Sequence, residues 1–197
     1  GAVFLVEHVD ELAEAGIEDN PVDRCYHCKK TIFLKLLKIK KQLGAGILLD
    51  GTNASDLLQY RPGIRALQEL HVISPFARFG ITKEQIREEA EKRGISVANK
   101  PAMPCMATRF PYGTSLTYEM IQRVEQAEQE IRELGFYNVR LRVHQDIARI
   151  EVDVCDLEKA VAAKDHIIEI ADRFGYTYVC LDLMGFRSGS MDVHIAK

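Results

Sequence analysis

The sequence predicts an α/β protein in two parts: a parallel-sheet domain over residues 1–112, then a small α+β domain with a three-stranded sheet over 113–197. Three observations carry this. Up to about residue 100, short continuous apolar runs alternate with helical-period segments, the pattern of a doubly wound parallel sheet with strands buried on both faces. After Pro111-Tyr112-Gly113, two strictly alternating segments joined by a short turn read as an antiparallel hairpin. Long amphipathic helices frame that hairpin, and one more strand follows it.

In order, AVFLV (Ala2–Val6) predicts a buried strand. A pair of cysteines, Cys25 and Cys28, stands just ahead of KTIFLKLLKIKKQLG. There Ile32, Leu36, Ile39 and Leu43 recur at helical spacing and Gly44 is a stop. Lys38, Lys40 and Lys41 form a solvated helix face rather than a nucleic-acid patch. GILLDGTN predicts a second buried strand, Ile47–Leu49, ending in a polar turn. Ligands of parallel α/β sheets gather at the carboxyl ends of strands, where Asp50, Gly51, Thr52 and Asn53 stand. ISPF predicts a third short strand. TKEQIREEAEKRG opens with a capping box, Thr82 with Gln85, and closes on Gly94.

In the second part, LTYEMIQRVEQAEQEIRELG predicts a long helix capped by Thr117 and stopped by Gly135. NVRLRVH puts Val139, Leu141 and Val143 on one face and Arg140, Arg142 and His144 on the other. ARIEVDV sets Ile150, Val152 and Val154 against Arg149, Glu151 and Asp153. One helix, DLEKAVAAKDHIIEIADRFG, and a strand, YVCLDL, complete the domain. There is no internal repeat and no low-complexity segment.

With 197 residues, 47% hydrophobic and 28% charged, the chain reads as an ordinary globular protein of one large or two small domains. A net charge of −3 argues against a broad phosphate-binding surface. No apolar run approaches the roughly 20 residues that span a bilayer, and GAVFLVEH lacks the basic start of a signal peptide, so the expected location is cytoplasmic. There the five cysteines are expected as thiols, metal ligands or catalysts rather than structural disulfides. The absence of an initiator Met predicts that something N-terminal precedes this chain or sits on another one.

The cysteine pair joins a third, Cys105, in the loop KPAMPCMATRFPYG. Three loop thiolates suit a [4Fe–4S] cubane with one iron open to an exogenous ligand. Zinc would want a fourth ligand, and His27 is a poor one because its neighbours in the turn point elsewhere. From spacing alone a cluster, a zinc site, a redox or disulfide pair and unrelated thiols all stay open. Cys155 and Cys180, at and within strand patterns, are expected to be packed as small hydrophobes.

NPVDRCYHCK, DGTNASD, RPGIRAL, SPF, GITK, KPAMPCMATRFPYG, RIEV and DLMGFRSGS resemble, in the same order, the LarE family of ATP-dependent sulfur transferases. These build the pincer-nickel cofactor of lactate racemase and belong to the PP-loop, or adenine nucleotide alpha hydrolase-like, superfamily. The likeness runs from Asn20 to Ser190. It implies a homo-oligomer with a small-molecule substrate, neither nucleic acid nor membrane, and two reaction steps that use ATP with Mg2+. A carboxylate of a pyridinium-3,5-dicarboxylate mononucleotide is adenylated with release of pyrophosphate; sulfur then displaces AMP to give a thiocarboxylate. Cys105 matches the sulfur-donating position. Cys25 and Cys28 are the extra pair of the members that carry a [4Fe–4S] cluster, so the implied metal ligands are Cys25, Cys28 and Cys105.

The resemblance also places Arg109 and Glu128 near the sulfur-transfer centre. For Arg109 the alternative is a solvated arginine. Glu128, four residues after Val124 on the apolar helix face, is costly there unless paired; its alternative is a boundary residue reaching outward. Arg140, Arg142 and Arg149 share a sheet face with Glu151, read as a clamp for phosphate and carboxylate or as a solvated charged face. Arg187, in GFRSGS, joins the substrate side or is part of a turn. Asp50, Thr52, Asn53 and Asp56 are the expected nucleotide-binding residues, or plain turn chemistry. One departure is clear: no Ser-Gly-Gly-x-Asp-Ser pyrophosphate loop occurs in these residues. Without such N–H donors this segment is expected to activate ATP poorly. Two rivals stand beside this reading, a cluster-dependent PP-loop enzyme that thiolates transfer RNA and a cluster-binding subunit with no activity. The mild acidity and the compact Arg/Glu set speak against an RNA substrate.

Overall fold

The computed structural model describes residues 3–191, and its helices and strands are mixed, as in an α/β protein. Two compact units are present. The first runs to Ile17 and resumes over Pro21–Lys100; the second takes Glu18–Asn20 and continues from Pro101. The Cys105 loop thus goes with the second unit, not with the first domain where the sequence pattern puts it.

The first unit holds helices α1 (Glu11–Ala15), α2 (Arg24–Gln42), α3 (Gly63–Glu69), α4 (Pro75–Arg78) and α5 (Lys83–Lys92). Helix α2 begins earlier than the spacing of its leucines and isoleucines predicts. Tyr26 and Phe33 are its buried aromatics, while Ile32, Leu36 and Ile39 are half-buried and Leu43 is exposed. The cysteine pair therefore lies inside the helix. The Tyr26 hydroxyl donates to Glu69 Oε2 at 2.7 Å and the Lys30 ammonium to the same oxygen at 2.8 Å, which ties α2 to α3. Gly63 lets the two helices meet: a Cβ there would stand 3.1 Å from Lys29 Cδ and 3.2 Å from the Cys25 carbonyl oxygen. Helix α5 opens with the expected reciprocal capping of Thr82 and Gln85, and Gly94 follows it at φ 67°.

The three strands expected in this unit are not formed as strands. Val3 to Val6 have no strand assignment and are exposed, and Ala2 lies outside the described residues. Ile47–Leu49 contracts to one parallel bridge, Leu49 with Ile73, and Ile47 and Leu49 are exposed. ISPF gives only its Ile73 to that bridge; Pro75 and Phe76 start α4, where a missing N–H is tolerated. A strand is a property of a hydrogen-bonded pair, and an apolar run supplies no partner by itself.

The second unit holds α6 (Tyr118–Glu133), β1 (Val139–His144), β2 (Ile147–Val152), α7 (Leu157–Ala162), α8 (Lys164–Arg173) and β3 (Tyr178–Leu181). The sheet order is β1-β2-β3, antiparallel then parallel. Val139, Leu141, Val143, Ala148, Ile150 and Val152 form its core face, with Val124, Ala127 and Ile131 of α6 and Ile167, Ile170 and Ala171 of α8, all buried. The single helix expected after β2 is broken at Ala163 into α7 and α8. Asn20 secures the entry to this unit. Its amide donates to the carbonyls of Ala107, Phe110 and Pro111 at 3.4, 3.2 and 2.9 Å.

Cys155 and Cys180 are exposed, not packed. Cys155 falls in the turn after β2. Cys180 pairs in register with Arg149, which puts its side chain on the polar side of the sheet. Gly185, in GFRSG, makes a close approach to the end of β2 and the turn after it. At φ 66°, a Cβ would meet Val154 Cγ2 at 2.8 Å and the Val152 carbonyl oxygen at 3.0 Å. Gly185→Ala is expected to cost about 1–3 kcal/mol in urea denaturation, from left-handed strain and overlap together; an unchanged midpoint would contradict this packing. Among the described residues no helix is long and apolar enough to cross a membrane.

Candidate functional site

Cys105 is exposed at the start of a short 3₁₀ turn, Met106–Arg109. Its carbonyl accepts from the Thr108 N–H and hydroxyl at 3.1 and 2.8 Å, so the turn is closed from within. Arg109 is buried and forks onto Glu128: Nε to Oε1 at 2.7 Å, Nη2 to Oε2 at 2.9 Å. Each residue is 2% exposed. This pairing explains the carboxylate on the apolar face of α6, since a bidentate, fully hydrogen-bonded ion pair is the form in which buried charge is tolerated. Glu128 Oε1 also accepts the Leu141 N–H of β1 at 2.8 Å. The solvated arginine and the outward-reaching glutamate are both excluded by these contacts.

The polar face of the hairpin lies against the same loop. Arg140 Nη2 donates to the Ala102 carbonyl at 2.6 Å and Nη1 to the Val139 carbonyl at 2.7 Å. Arg142 donates from Nη1 to the Thr108 carbonyl at 2.9 Å and from Nη2 to Glu151 Oε2 at 2.9 Å. Arg109 Nη1 reaches the Pro104 carbonyl at 3.4 Å. Carbonyls on both sides of Cys105 are thus held by three buried arginines. Glu151, fully buried, takes Ser190 Oγ at 2.7 Å and Arg149 Nη1 at 3.2 Å on its other oxygen. Arg149 also pairs with Asp182, and Arg187 Nη2 lies 3.5 Å from the same carboxylate. The face read as possibly solvated is therefore buried at Arg140, Arg142 and Glu151, with Arg149 and Arg187 at its open side.

Burial, reinforced by Arg109, pushes the Arg140 guanidinium down to about 10; Glu128 opposes the shift, while Arg142 and Arg132 add to it. It stays a cation at neutral pH, and its Nε has no partner among the described residues. At the end of β1, burial lowers His144, helped by Arg149 and Arg142 and opposed by Glu151. Arg149 Nε lies 3.3 Å from His144 Nε2, a contact that suits a neutral imidazole accepting. A folded pKa below the unfolded one means that the unfolded chain binds more protons. This contribution is complete above about pH 6.5 and is lost as pH falls through the folded value. Denaturation midpoints should fall as pH drops below about 6.5. His144→Asn should flatten the decline; an equally steep decline in that variant would show that another group is responsible.

In the first unit, Asp50 anchors the polar turn. It accepts from Thr52 N–H at 3.2 Å, Thr52 Oγ1 at 2.7 Å, the Ser74 hydroxyl and Lys29 Nζ at 3.1 Å. Burial acts to raise its carboxyl, but the hydrogen bonds of Ser74, Thr52 and Lys29 prevail and hold it below the usual range. Asn53 and Asp56 cap each other's backbone N–H groups at 3.2 and 3.1 Å. Turn chemistry therefore accounts for Asn53 and Asp56 as they stand. Lys29 and Ser74 are additions that sequence reasoning missed. Lys29 had a signal, since it follows Cys28 directly on the helix; Ser74 had none.

Cys25 and Cys28, three apart in α2, share one face of the helix, and none of the five cysteines is in a disulfide. His27 instead lies with Nε2 3.0 Å from Asp23. Cys25, Cys28 and the Asp50 turn belong to the first unit; Cys105, Arg109, Glu128, Arg140, Arg142, Glu151 and Arg187 belong to the second. Among the described residues, no three or more His, Cys, Asp or Glu side chains are gathered as a metal site.

No family model matches the chain. Among curated proteins, an uncharacterized protein of Synechocystis sp. is 37% identical over 199 residues, covering 100% of this chain and 74% of the relative. Pyridinium-3,5-bisthiocarboxylic acid mononucleotide synthase of Lactiplantibacillus plantarum is 36% identical over 189 residues, covering 96% of this chain and 68% of that protein. An uncharacterized protein of Methanocaldococcus jannaschii is 36% identical over 169 residues, covering 86% of this chain and 66% of the relative. With that identity sustained over nearly its whole length, the chain belongs to the family of pyridinium-3,5-bisthiocarboxylic acid mononucleotide synthase.

Proposed function

We propose that this chain is an ATP-dependent sulfur transferase that converts the carboxylates of pyridinium-3,5-biscarboxylic acid mononucleotide into thiocarboxylates through an adenylated intermediate. The name of the Lactiplantibacillus relative supports the substrate class. The observation that carries the reading is the setting of Cys105, an exposed thiol on a loop whose Ala102, Pro104 and Thr108 carbonyls are gripped by buried arginines. A thiolate that helps to present sulfur to a substrate has to be reachable yet fixed in direction, and a clamped loop supplies both.

A substrate carboxylate oxygen bonds to the α-phosphorus of ATP, and pyrophosphate leaves. A sulfur nucleophile then adds to the activated carbonyl carbon, and AMP departs with the bonding pair, leaving the thiocarboxylate. Arg140, Arg142, Arg149 and Arg187 provide a cationic surround for the mononucleotide phosphate and for charge developing on the carbonyl oxygen. The Asp50 turn, with Thr52, Asn53 and Asp56, is the proposed ATP and Mg2+ side. Cys25, Cys28 and Cys105 are the proposed holders of a [4Fe–4S] cluster, and as thiols outside any disulfide, two of them on one helix face, they fit that donor set. When bound, such a cluster supplies an iron with no protein ligand, open to an exogenous sulfide. A homo-oligomer, which the resemblance implies, and a cytoplasmic location are part of the proposal.

Because no Ser-Gly-Gly-x-Asp-Ser run occurs in these residues, activation and transfer are best assayed apart. Anaerobically prepared protein is given either ATP, Mg2+ and substrate, or the synthetic acyl adenylate, each with sulfide. Thiocarboxylate from the acyl adenylate, faster than without protein, is the expected result. A rate equal to the protein-free control would overturn the proposal.

A further inference from the structure

The sheet of the second unit ends on β3, which among the described residues pairs only with β2. Its sequence, Tyr178-Val179-Cys180-Leu181, contains no charge, proline or bulge of the kind that protects an edge from pairing. Tyr178 and Cys180 are exposed. The N–H groups of Tyr178 and Asp182 bond inward to Asp146 and Ile150. By alternation, the N–H and C=O groups of Val179 and Leu181 point outward along the open edge.

Directly above this edge, α8 presents its outer flank. Its other flank is tied to α6 by Arg173 and Glu130 at 2.7 Å. The outer flank joins β3 around an apolar cavity of about 260 Å³, lined by Val161, Lys164, Ile168, Val179 and Leu181 among others. Val161 and Ile168 are 59% and 50% exposed. Lys164, Ile168 and Asp172 follow one another at helical spacing on this side, and all three are exposed.

We propose that this face, β3 with the outer flank of α8, is a two-fold interface with a second copy of the same chain. Complementarity selects that partner. A two-fold axis at Ile168 runs the two α8 helices antiparallel, so Ile168 meets Ile168 while Lys164 of each copy faces Asp172 of the other. The same operation sets the β3 edges antiparallel. With Cys180 opposite Cys180, Val179 and Leu181 of each strand bond to Leu181 and Val179 of the other, so all the outward groups of those residues are used. Three strands become a continuous six-stranded sheet with no edge at β3, the isologous arrangement of closed dimers. This inference does not depend on the reaction proposed above.

The test is sedimentation equilibrium of the full chain with Lys164→Glu, Asp172→Lys and the double swap. Each single swap sets like charges against each other and is expected to halve the mass of the assembly; the double swap restores the pairs and the mass. Both residues are exposed, so the fold is retained, which circular dichroism checks. In a background with Cys25, Cys28, Cys105 and Cys155 changed to serine, a short thiol-to-thiol crosslinker should join two chains, and adding Cys180→Ser should remove that product. A monomeric parent, single swaps with unchanged mass, a double swap that stays dissociated, or a crosslink that survives Cys180→Ser would each overturn the interface.

Discussion

Replacing Cys105 with alanine is expected to lower thiocarboxylate formation by at least about a thousandfold, because the proposed donor set loses one of its three thiolates. The stability of the variant should stay within about 0.5 kcal/mol of the parent, because the side chain is exposed. The backbone carbonyl that closes the turn onto Thr108 is retained in the variant. The carbonyls of Ala102, Pro104 and Thr108 also keep their arginine partners, since none of those bonds uses the thiol. The substitution therefore separates chemistry from scaffold. The readout is product formed per chain from the acyl adenylate, beside a urea denaturation curve. Activity within about tenfold of the parent would show that sulfur reaches the substrate without this thiol.

Glu128→Ala is the substitution expected to be most costly for the fold, at about 3–5 kcal/mol. It strips the carboxylate from a buried arginine, and it also removes the acceptor of the Leu141 N–H. Losing one partner of a buried pair costs more than the pair contributes, because the remaining charge stays desolvated. The double variant Arg109→Met with Glu128→Leu should therefore recover much of the lost stability. It should not recover sulfur transfer, because the Pro104 carbonyl loses its arginine and the Cys105 loop loses part of its clamp. Equal instability in the single and double variants would show that packing volume, not charge, governs this position.

The second unit was largely legible in the sequence, and the first was legible in its helices but not in its strands. NVRLRVH and ARIEVDV alternate, and Val139–His144 and Ile147–Val152 form strands in the expected face assignment because each finds its partner a few residues away; Val154, expected on the core face, instead falls in the turn after β2 and is exposed. Thr117 and Thr82 mark helix starts by local hydrogen bonds that need no tertiary context. The apolar runs at residues 2–6 and 47–49 carry no such local signal. Strand formation there depends on a neighbour that composition cannot name. The candidate site shows the same division. Alternation put Arg140, Arg142 and Glu151 on one face, and helical spacing marked Glu128 as anomalous. Nothing in the sequence showed that arginine forks would close on the carbonyls of the Cys105 loop, since main-chain acceptors leave no trace in residue identity. The two remaining cysteines were misread for the opposite reason. A strand pattern says that a residue is flanked by buried neighbours, whereas an edge strand and a turn leave Cys180 and Cys155 exposed.

We propose that Cys25, Cys28 and Cys105 form one iron–sulfur donor set serving sulfur transfer. Its most direct test is iron and acid-labile sulfide analysis, with a visible spectrum, on anaerobically purified parent chain and Cys105→Ala. Iron and sulfide in equal amounts in the parent, with both lost in the variant, is the predicted result. Zinc in place of iron, or no metal together with a mass loss of one hydrogen sulfide from the parent after reaction, would contradict it. Cys105 would then be a single-use sulfur source, and Cys25 and Cys28 a structural pair on α2.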